Sequence, residues 1–259
     1  MTGPASLPGV RRYRGIFRAV VAGLFASAVV VMGLPRLLGA VALLPGDAGY
    51  TLLREGGLPA PQAMERMLDS RQEAAAWLPD EGTIPFDLGF LDLSLAALVD
   101  RRSPDSIRLL ESASDHMRRS IALRPGWPYA WSYLCAAELA RGRPEEARLA
   151  LHGSWRTGPY VPELASTRAE MAYSLWPRLD EQERDAAGAD LAVVMNEQGP
   201  LFYELAVDRP AVHPLVRSAF AARPEVSARY EDLLAFRRAA RSWGIPPRPP
   251  VVRLLPYLQ

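Results

Sequence analysis

The sequence predicts an all-α protein in which an apolar N-terminal helix precedes a body of paired helices. Three observations support this fold class. After Pro45 the chain consists of helix-length segments separated by Pro and Gly, with hardly any alternating β-branched runs. A pattern of small, bulky and Pro residues recurs at the spacing of a helix-pair repeat. An uncharged stretch near the N-terminus is flanked by Arg.

Composition excludes several classes of protein. The 259 residues suffice for one large domain or two small ones, and the 49% hydrophobic and 23% charged residues are ordinary globular values. The single Cys, Cys135, excludes an intramolecular disulfide, and with only three His it leaves no Cys-rich zinc site. We therefore expect neither a metal nor a cofactor.

The charges are unevenly distributed. All 30 basic residues are Arg, and residues 1–36 contain no acid, so the rest of the chain has 25 Arg against 29 acidic residues. This mildly acidic body argues against a nucleic-acid partner, which would require a basic surface. The five Arg of the N-terminal region are Arg11, Arg12, Arg14, Arg18 and Arg36. A basic block beside an apolar run indicates a membrane protein.

The apolar run predicts a transmembrane helix at residues 16–36. Ala19 to Leu34 are uncharged, and with the three preceding residues the stretch approaches the ~20 residues that cross a bilayer. The Arg residues before it predict that residues 1–15 are a basic cytoplasmic segment and that the body is exported. In a bacterium this gives a single-pass inner-membrane protein with a periplasmic body.

Two alternatives to a membrane anchor remain open. A cleaved signal peptide is supported by Ala40, Val41 and Ala42, which resemble a cleavage site. A buried soluble helix is the other, although the run is apolar on every face. We favour the anchor because the run exceeds the usual ~7–15 residue signal-peptide core. Pro35 and Arg36 also interrupt the approach to the cleavage site.

Residues 45–243 are predicted to form a helical-repeat domain, and residues 244–259 a Pro-rich tail that is an extended strap. Cap residues support several helix starts, such as Ser103 before Pro104, and Asp180 before Glu181 and Glu183. The predicted helices are 61–77, 86–101, 104–123, 127–141, 144–156, 162–175, 180–196, 212–222 and 225–241.

The repeat is the most informative pattern in the body. The order Trp, Leu, Gly, small Ala, bulky residue and Pro is typical of a tetratricopeptide unit. It is present as Trp131, Leu134, Gly142, Ala147, Leu151 and Pro159, and its second half recurs one repeat earlier as Ala113, Met117 and Pro125. The small residues allow paired helices to approach closely, and Pro ends the second helix. We therefore expect a tetratricopeptide-like α-solenoid, clearest over residues 86–160.

Four short sequence segments also resemble those of a known family. They are AAAWLPD (Ala74 to Asp80), LRPGWPYAWSYL (Leu123 to Leu134), TGPYVPELA (Thr157 to Ala165) and LWPRLD (Leu175 to Asp180). Together they resemble the VpsP-type polysaccharide-biosynthesis proteins, a bacterial family with an N-terminal membrane segment and a helical body. The resemblance covers about residues 20–240. It implies a role in making or exporting surface polysaccharide, and it supplies no catalytic residues.

Candidate catalytic residues are sparse. His116, His152 and His213 lack metal-ligand spacing, and Cys135 is better explained as a small buried hydrophobe. Asp87 and Asp92 are a possible acid–base pair, although helix-start charges explain them more simply. Gly-rich phosphate loops and Gly-x-Ser-x-Gly elbows are absent from the sequence. We expect the protein not to be an enzyme.

Candidate binding residues are more numerous around the clearest repeat. Aromatic residues there stack on sugars or anchor peptides, and Arg pairs with carboxylate or phosphate. The predicted partner-binding residues are Trp127, Tyr129, Arg118, Arg143, Arg156 and Tyr160. For each of them, packing in the core or a solvated helix face is the simpler alternative.

The function predicted from the sequence is a membrane-anchored adaptor or scaffold for polysaccharide synthesis or export, with protein partners in the cell envelope. Helical-repeat surfaces suit such partners. One alternative is direct recognition of a polysaccharide by the aromatic and Arg residues near 118–160. Others are a general envelope assembly factor and a glycan hydrolase that uses Asp87 and Asp92.

Overall fold

The computed structural model describes the backbone of residues 8–243 and the side chains of residues 17–243, except that of Ala19. The predicted Pro-rich tail lies outside the described residues. Within them every regular element is helical. The α-helices are α1 (Pro8–Arg54), α2 (Pro61–Trp77), α3 (Thr83–Ala96), α4 (Pro104–Leu123), α5 (Pro128–Ala140), α6 (Pro144–Thr157), α7 (Pro162–Leu175), α8 (Glu181–Glu197), α9 (Gly199–Phe202), α10 (His213–Phe220) and α11 (Pro224–Ser242).

The first helix is much longer than the predicted transmembrane segment. It is 47 residues long and continues through Pro35 and Pro45, so the predicted boundaries at residues 36 and 45 both fall inside it. An interior Pro removes one backbone hydrogen bond, but packing against α2 offsets this loss over the second half of α1. At Gly46 the helices are so close that an added Cβ would lie 2.8 Å from the Cα of Met67.

Residues 20–34 of α1 are exposed and uncharged. An 18-residue window has a mean hydropathy of 2.0, and Phe25 and Val31 are 71% and 72% exposed. By length and composition, α1 is able to cross a membrane. Among the described residues it is the one helix that meets this description.

The helices from α1 to α8 stack as antiparallel pairs, each of which packs on the next. The pairs are α1 with α2, α3 with α4, α5 with α6, and α7 with α8. Ala113, Ala147, Met117 and Leu151 are all fully buried, as the repeat pattern predicts. The chain therefore has an all-α fold in which an apolar N-terminal helix leads into a helical-repeat body.

Most predicted helix boundaries agree with the structure to within one or two residues. The clearest difference is α3, which was expected at 86–101 and lies at Thr83–Ala96. The segment between α8 and α10 was not predicted: it contains α9, a π-helical turn (Tyr203–Val207) and a 3-10 turn (Pro210–Val212). Asp180 caps α8 as predicted, because its carboxylate accepts a hydrogen bond from the Glu183 amide at 2.9 Å.

The loops lie at two opposite edges of the stack. We define the proximal edge as residues 78–82, 124–127 and 158–161, and the distal edge as residues 97–103, 141–143 and 176–180. Ser120, near the end of α4, donates to the Gly82 carbonyl at 2.7 Å, which joins the end of α4 to the proximal loop before α3. Leu78 packs on Gly39 of α1. The proximal edge is therefore the one that faces the apolar half of α1.

Candidate functional site

The first helices of successive pairs form one continuous surface, the inner face, which consists of α3, α5, α7 and the C-terminal end of α1. α3 packs directly on α5, and α5 on α7, while α4 and α6 pack behind them. Stacked helical repeats create extended surfaces that such proteins use for binding. The inner face is therefore the candidate functional surface.

A row of six aromatic rings crosses the inner face. The ring centroids are 5.7 Å apart for Tyr50 and Phe90, 5.5 Å for Phe90 and Tyr133, and 5.3 Å for Tyr133 and Phe86. The row continues from Phe86 to Trp127, whose centroids are 4.6 Å apart, and from Trp127 to Tyr129, whose centroids are 6.1 Å apart. Phe86 and Phe90 are buried, whereas Trp127, Tyr129 and Tyr133 are partly exposed. The row thus combines a fixed apolar base with accessible ring surface.

A polar network fixes the α1 end of this row. The Tyr50 hydroxyl donates to Asp87 Oδ1 at 2.6 Å. Arg71, 2% exposed, lies 2.9 Å from Asp47 and 3.7 Å from Asp87, and its guanidinium stacks over the Tyr50 ring at 4.4 Å. Burial raises the pKa of Asp87. These contacts hold α1, α2 and α3 in one arrangement.

The phenol groups of the row remain protonated at neutral pH. Burial raises the pKa of Tyr133 to about 12. The pKa of Tyr129 is also raised, by burial and by the nearby Glu163 carboxylate. The positive charge of Arg54, an exposed residue, opposes both pKa shifts, so it lies near both hydroxyl groups. The inner face therefore offers a cation beside hydrogen-bond donors.

Of the predicted partner-binding residues, Trp127 and Tyr129 are neighbours on the inner face. The guanidinium of Arg124 lies over the Trp127 ring at 4.5 Å. Tyr160 is at the proximal edge, 68% exposed, and its hydroxyl donates to Glu197 at 3.2 Å. Trp131, at the Trp position of the repeat pattern, packs on Gly153, and its indole donates to the Pro125 carbonyl at 2.9 Å.

The three predicted Arg residues do not join these rings. Arg118 donates to the fully buried carboxylate of Glu138 at 2.9 Å. Arg143 and Arg156 are exposed at opposite ends of α6, about 20 Å apart along its axis. The predicted residues are therefore divided between the inner face, the two edges and an ion pair that joins α4 to α5.

Buried ion pairs connect the later helices. Arg168 and Asp190 are 2.7 Å apart, and Asp190 also accepts a hydrogen bond from the Trp155 indole at 2.7 Å. Glu183 accepts from Arg148 at 2.6 Å. These contacts join α6, α7 and α8, so several charged residues have a structural role.

The candidate catalytic residues do not converge. Asp87 contacts Tyr50, whereas Asp92 accepts a hydrogen bond from Ser112 at 2.6 Å, with His116 at 3.8 Å. Cys135 is fully buried, and burial raises the pKa of its thiol. Within the described part of the chain, no group of three or more His, Cys, Asp or Glu residues is arranged to hold a metal ion.

Sequence reasoning did not identify Tyr50, Arg54, Phe86 or Phe90 as parts of the site. Tyr50 and Arg54 follow the apolar segment, and their facing residues on α3 and α5 are far away in the sequence. Phe86 lies in a helix that is apolar on nearly all sides, so periodicity gives no orientation for it.

Comparisons with known proteins give no further identification: no protein-family model matches the chain, and no curated protein matches it.

Proposed function

We propose that the protein is a single-pass, membrane-anchored, non-catalytic scaffold of the bacterial cell envelope that binds an extended segment of a partner protein along its inner face. The observation that carries this proposal is the continuity of α1. One unbroken helix contains the apolar segment and, further along, Tyr50 and Arg54 of the inner face. The binding surface is thus held at a fixed distance from the membrane.

The chemistry of the inner face indicates what the partner segment contains. The aromatic row suits Pro or other apolar side chains of an extended chain. Arg54 suits a carboxylate at the α1 end of the same segment. Accessible Trp and Tyr rings are the residues most often found at the centres of protein interfaces.

The cellular setting rests on the sequence. Arg11, Arg12 and Arg14 precede the apolar segment and favour a cytoplasmic N-terminus with a periplasmic body in the inner membrane. The resemblance to VpsP-type proteins favours partners that make or export surface polysaccharide.

Crosslinking in cells tests the scaffold. A photoreactive amino acid at Tyr129 is expected to capture an envelope protein, and Arg54→Ala is expected to reduce that capture severalfold. A photoreactive group at exposed Arg66 on α2 serves as the matched control. Equal capture from both positions would count against a partner on the inner face.

A second candidate function is direct binding of a polysaccharide. It is favoured by the accessible rings of Trp127 and Tyr129, which stand 6.1 Å apart at one end of the row and suit stacking on sugar rings. Calorimetry with envelope oligosaccharides separates the two functions, because the scaffold predicts no heat of binding.

A further inference from the structure

The distal edge contains a basic pocket that is separate from the inner face. It is an open cavity of about 440 Å³ between the α3–α4 loop and the α5–α6 loop. Four guanidinium groups line it, those of Arg101, Arg102, Arg141 and Arg143. Glu111 is the one acid among the lining residues. We call this cavity the distal pocket.

Two turns at equivalent positions of successive helix pairs bring the Arg residues together. Arg101 and Arg102 precede α4, and Arg141 and Arg143 precede α6. Gly142, between the latter two, has a φ of +72°, which favours Gly and gives the sharp turn that places both neighbours beside the cavity. The lining residues carry more positive than negative charge, and this excess favours a bound anion.

The Arg residues of the pocket differ in how far their charge is already neutralised. Arg141 lies 3.2 Å from buried Glu138 and 3.8 Å from Glu111. Arg102 and Arg143 are exposed, and neither guanidinium pairs with an acid among residues 17–243. Two guanidinium groups are thus free to form bidentate hydrogen bonds to an incoming oxyanion.

The other walls of the pocket limit the kind of ligand. Ile107, Leu110 and Ala140 provide an apolar surface. The volume lies within the ~300–1,000 Å³ usual for small-molecule sites. α4 and α6 begin beside the cavity, but each already has acidic residues in its first turn. The positive field of the pocket therefore comes from the guanidinium groups and not from the helix ends.

We propose that the distal pocket binds a phosphate or carboxylate group carried by an organic ligand about the size of one sugar. Arg102 and Arg143 bind the oxyanion, Arg141 adds its charge from one side, and the apolar wall contacts the uncharged part of the ligand. This site does not depend on the inner face.

Calorimetry on the full-length protein in non-ionic detergent tests the proposal. The probes are glucose 1-phosphate, glucuronate and neutral glucose, so that phosphate, carboxylate and uncharged ligands are compared. At least one of the two anions is expected to bind, and glucose is not. Binding is expected to weaken as salt is raised. The absence of heat with both anions would overturn the proposal.

Variants assign the binding to the pocket. The double variant R102A/R143A is expected to weaken anion binding by roughly tenfold or more, since it removes two charge-assisted contacts. R102K/R143K keeps the charge without the bidentate geometry and is expected to be intermediate. R66A/R229A removes two exposed Arg outside the pocket and is expected to bind as the wild type does. Equal losses in both alanine pairs, or none in R102A/R143A, would refute the site.

This test is distinct from that of the scaffold. R102A/R143A leaves Arg54 and Tyr129 unchanged, so crosslinking from Tyr129 reports on the inner face in the same variant. Retained crosslinking with lost anion binding is the expected combination.

Discussion

Arg168 of α7 and Asp190 of α8 form a two-pronged ion pair that solvent does not reach. Nη2 lies 2.7 Å from Oδ1 and Nε lies 3.0 Å from Oδ2, and the side chains are 0% and 4% exposed. Arg168 also donates to the Gly158 carbonyl at 2.7 Å, and Asp190 accepts from Trp155. Every charged atom of the pair therefore has a partner, and three helices and a proximal loop are joined at one point.

Removing one member of this pair is expected to destabilise the protein strongly. Arg168→Met leaves Asp190 buried without its counter-charge, so we expect a loss of about 3–5 kcal/mol in the free energy of unfolding. Urea unfolding followed by circular dichroism measures this loss. Asp190→Leu in the Arg168→Met background is expected to recover part of it. A single variant as stable as the wild type would show that the pair contributes little.

The packing of Trp131 on Gly153 predicts a steric effect. A Cβ on Gly153 would lie 2.6 Å from the Trp131 ring, so Gly153→Ala is expected to cost about 1–3 kcal/mol by overpacking α5 against α6. Gly126→Ala is the matched control, because a Cβ there meets no atom within 4 Å. Thermal unfolding of both variants measures the difference. Equal melting temperatures would mean that the ring moves aside without cost.

Glu138 predicts a pH dependence of stability. Burial alone would raise its pKa, but hydrogen bonds from Ser114 and Arg118 and the charge of Arg141 outweigh burial, so its pKa is lowered from 4.5. A carboxylate with a lowered pKa in the folded state stabilises the fold above its unfolded pKa. That stabilisation is lost as the pH falls through the folded value.

Glu138→Gln is therefore expected to be less stable than the wild type near neutral pH, with the difference shrinking as the pH falls below 4.5. Urea unfolding of both proteins from pH 7 to 3 provides the comparison. Glu111→Gln, which replaces a half-exposed carboxylate 3.8 Å from Arg141, is the control and is expected to show a much smaller change. A difference that grows on acidification would contradict the lowered pKa.

The continuity of α1 predicts how the protein partitions in cells. Deletion of residues 8–37 is expected to release the body from membranes, while the wild type remains bound after carbonate washing, because the apolar half of α1 has no protein partner in the described structure. Immunoblots of the membrane and soluble fractions measure this. Mass spectrometry of the membrane-bound form tests the signal-peptide alternative, since a chain beginning near residue 43 would show that the segment is cleaved.

The sequence predicted the helices well wherever local chemistry marks their ends. α2, α4 and α7 begin with Pro at 61, 104 and 162 and end where predicted, because the fixed φ of Pro and its missing N–H act within one turn. The C-terminal half of α1 was not predicted. The predicted helix ended at residue 36 and the body was predicted to begin at residue 45, whereas packing against α2 across Gly46 carries α1 through Pro45.

The candidate sites were less predictable from the sequence than the helices were. Trp127 and Tyr129 were identified from their position beside the repeat, but their alignment with Tyr50, Phe86 and Phe90 required three separate helices to pack. The Arg residues looked alike in the sequence. Only their surroundings separate buried Arg168, which stabilises the fold, from exposed Arg102 and Arg143 at the distal pocket.

The sequence by itself determined the helical class, the repeat spacing and the apolar N-terminal segment, because capping, Pro geometry and hydrophobic spacing act over a few residues. The tertiary structure decided which rings form the inner face, which charges are neutralised and which remain available. Those properties depend on distances between residues such as Tyr50 and Asp87, or Arg102 and Arg143, that are separated along the chain and meet only when the helix pairs stack.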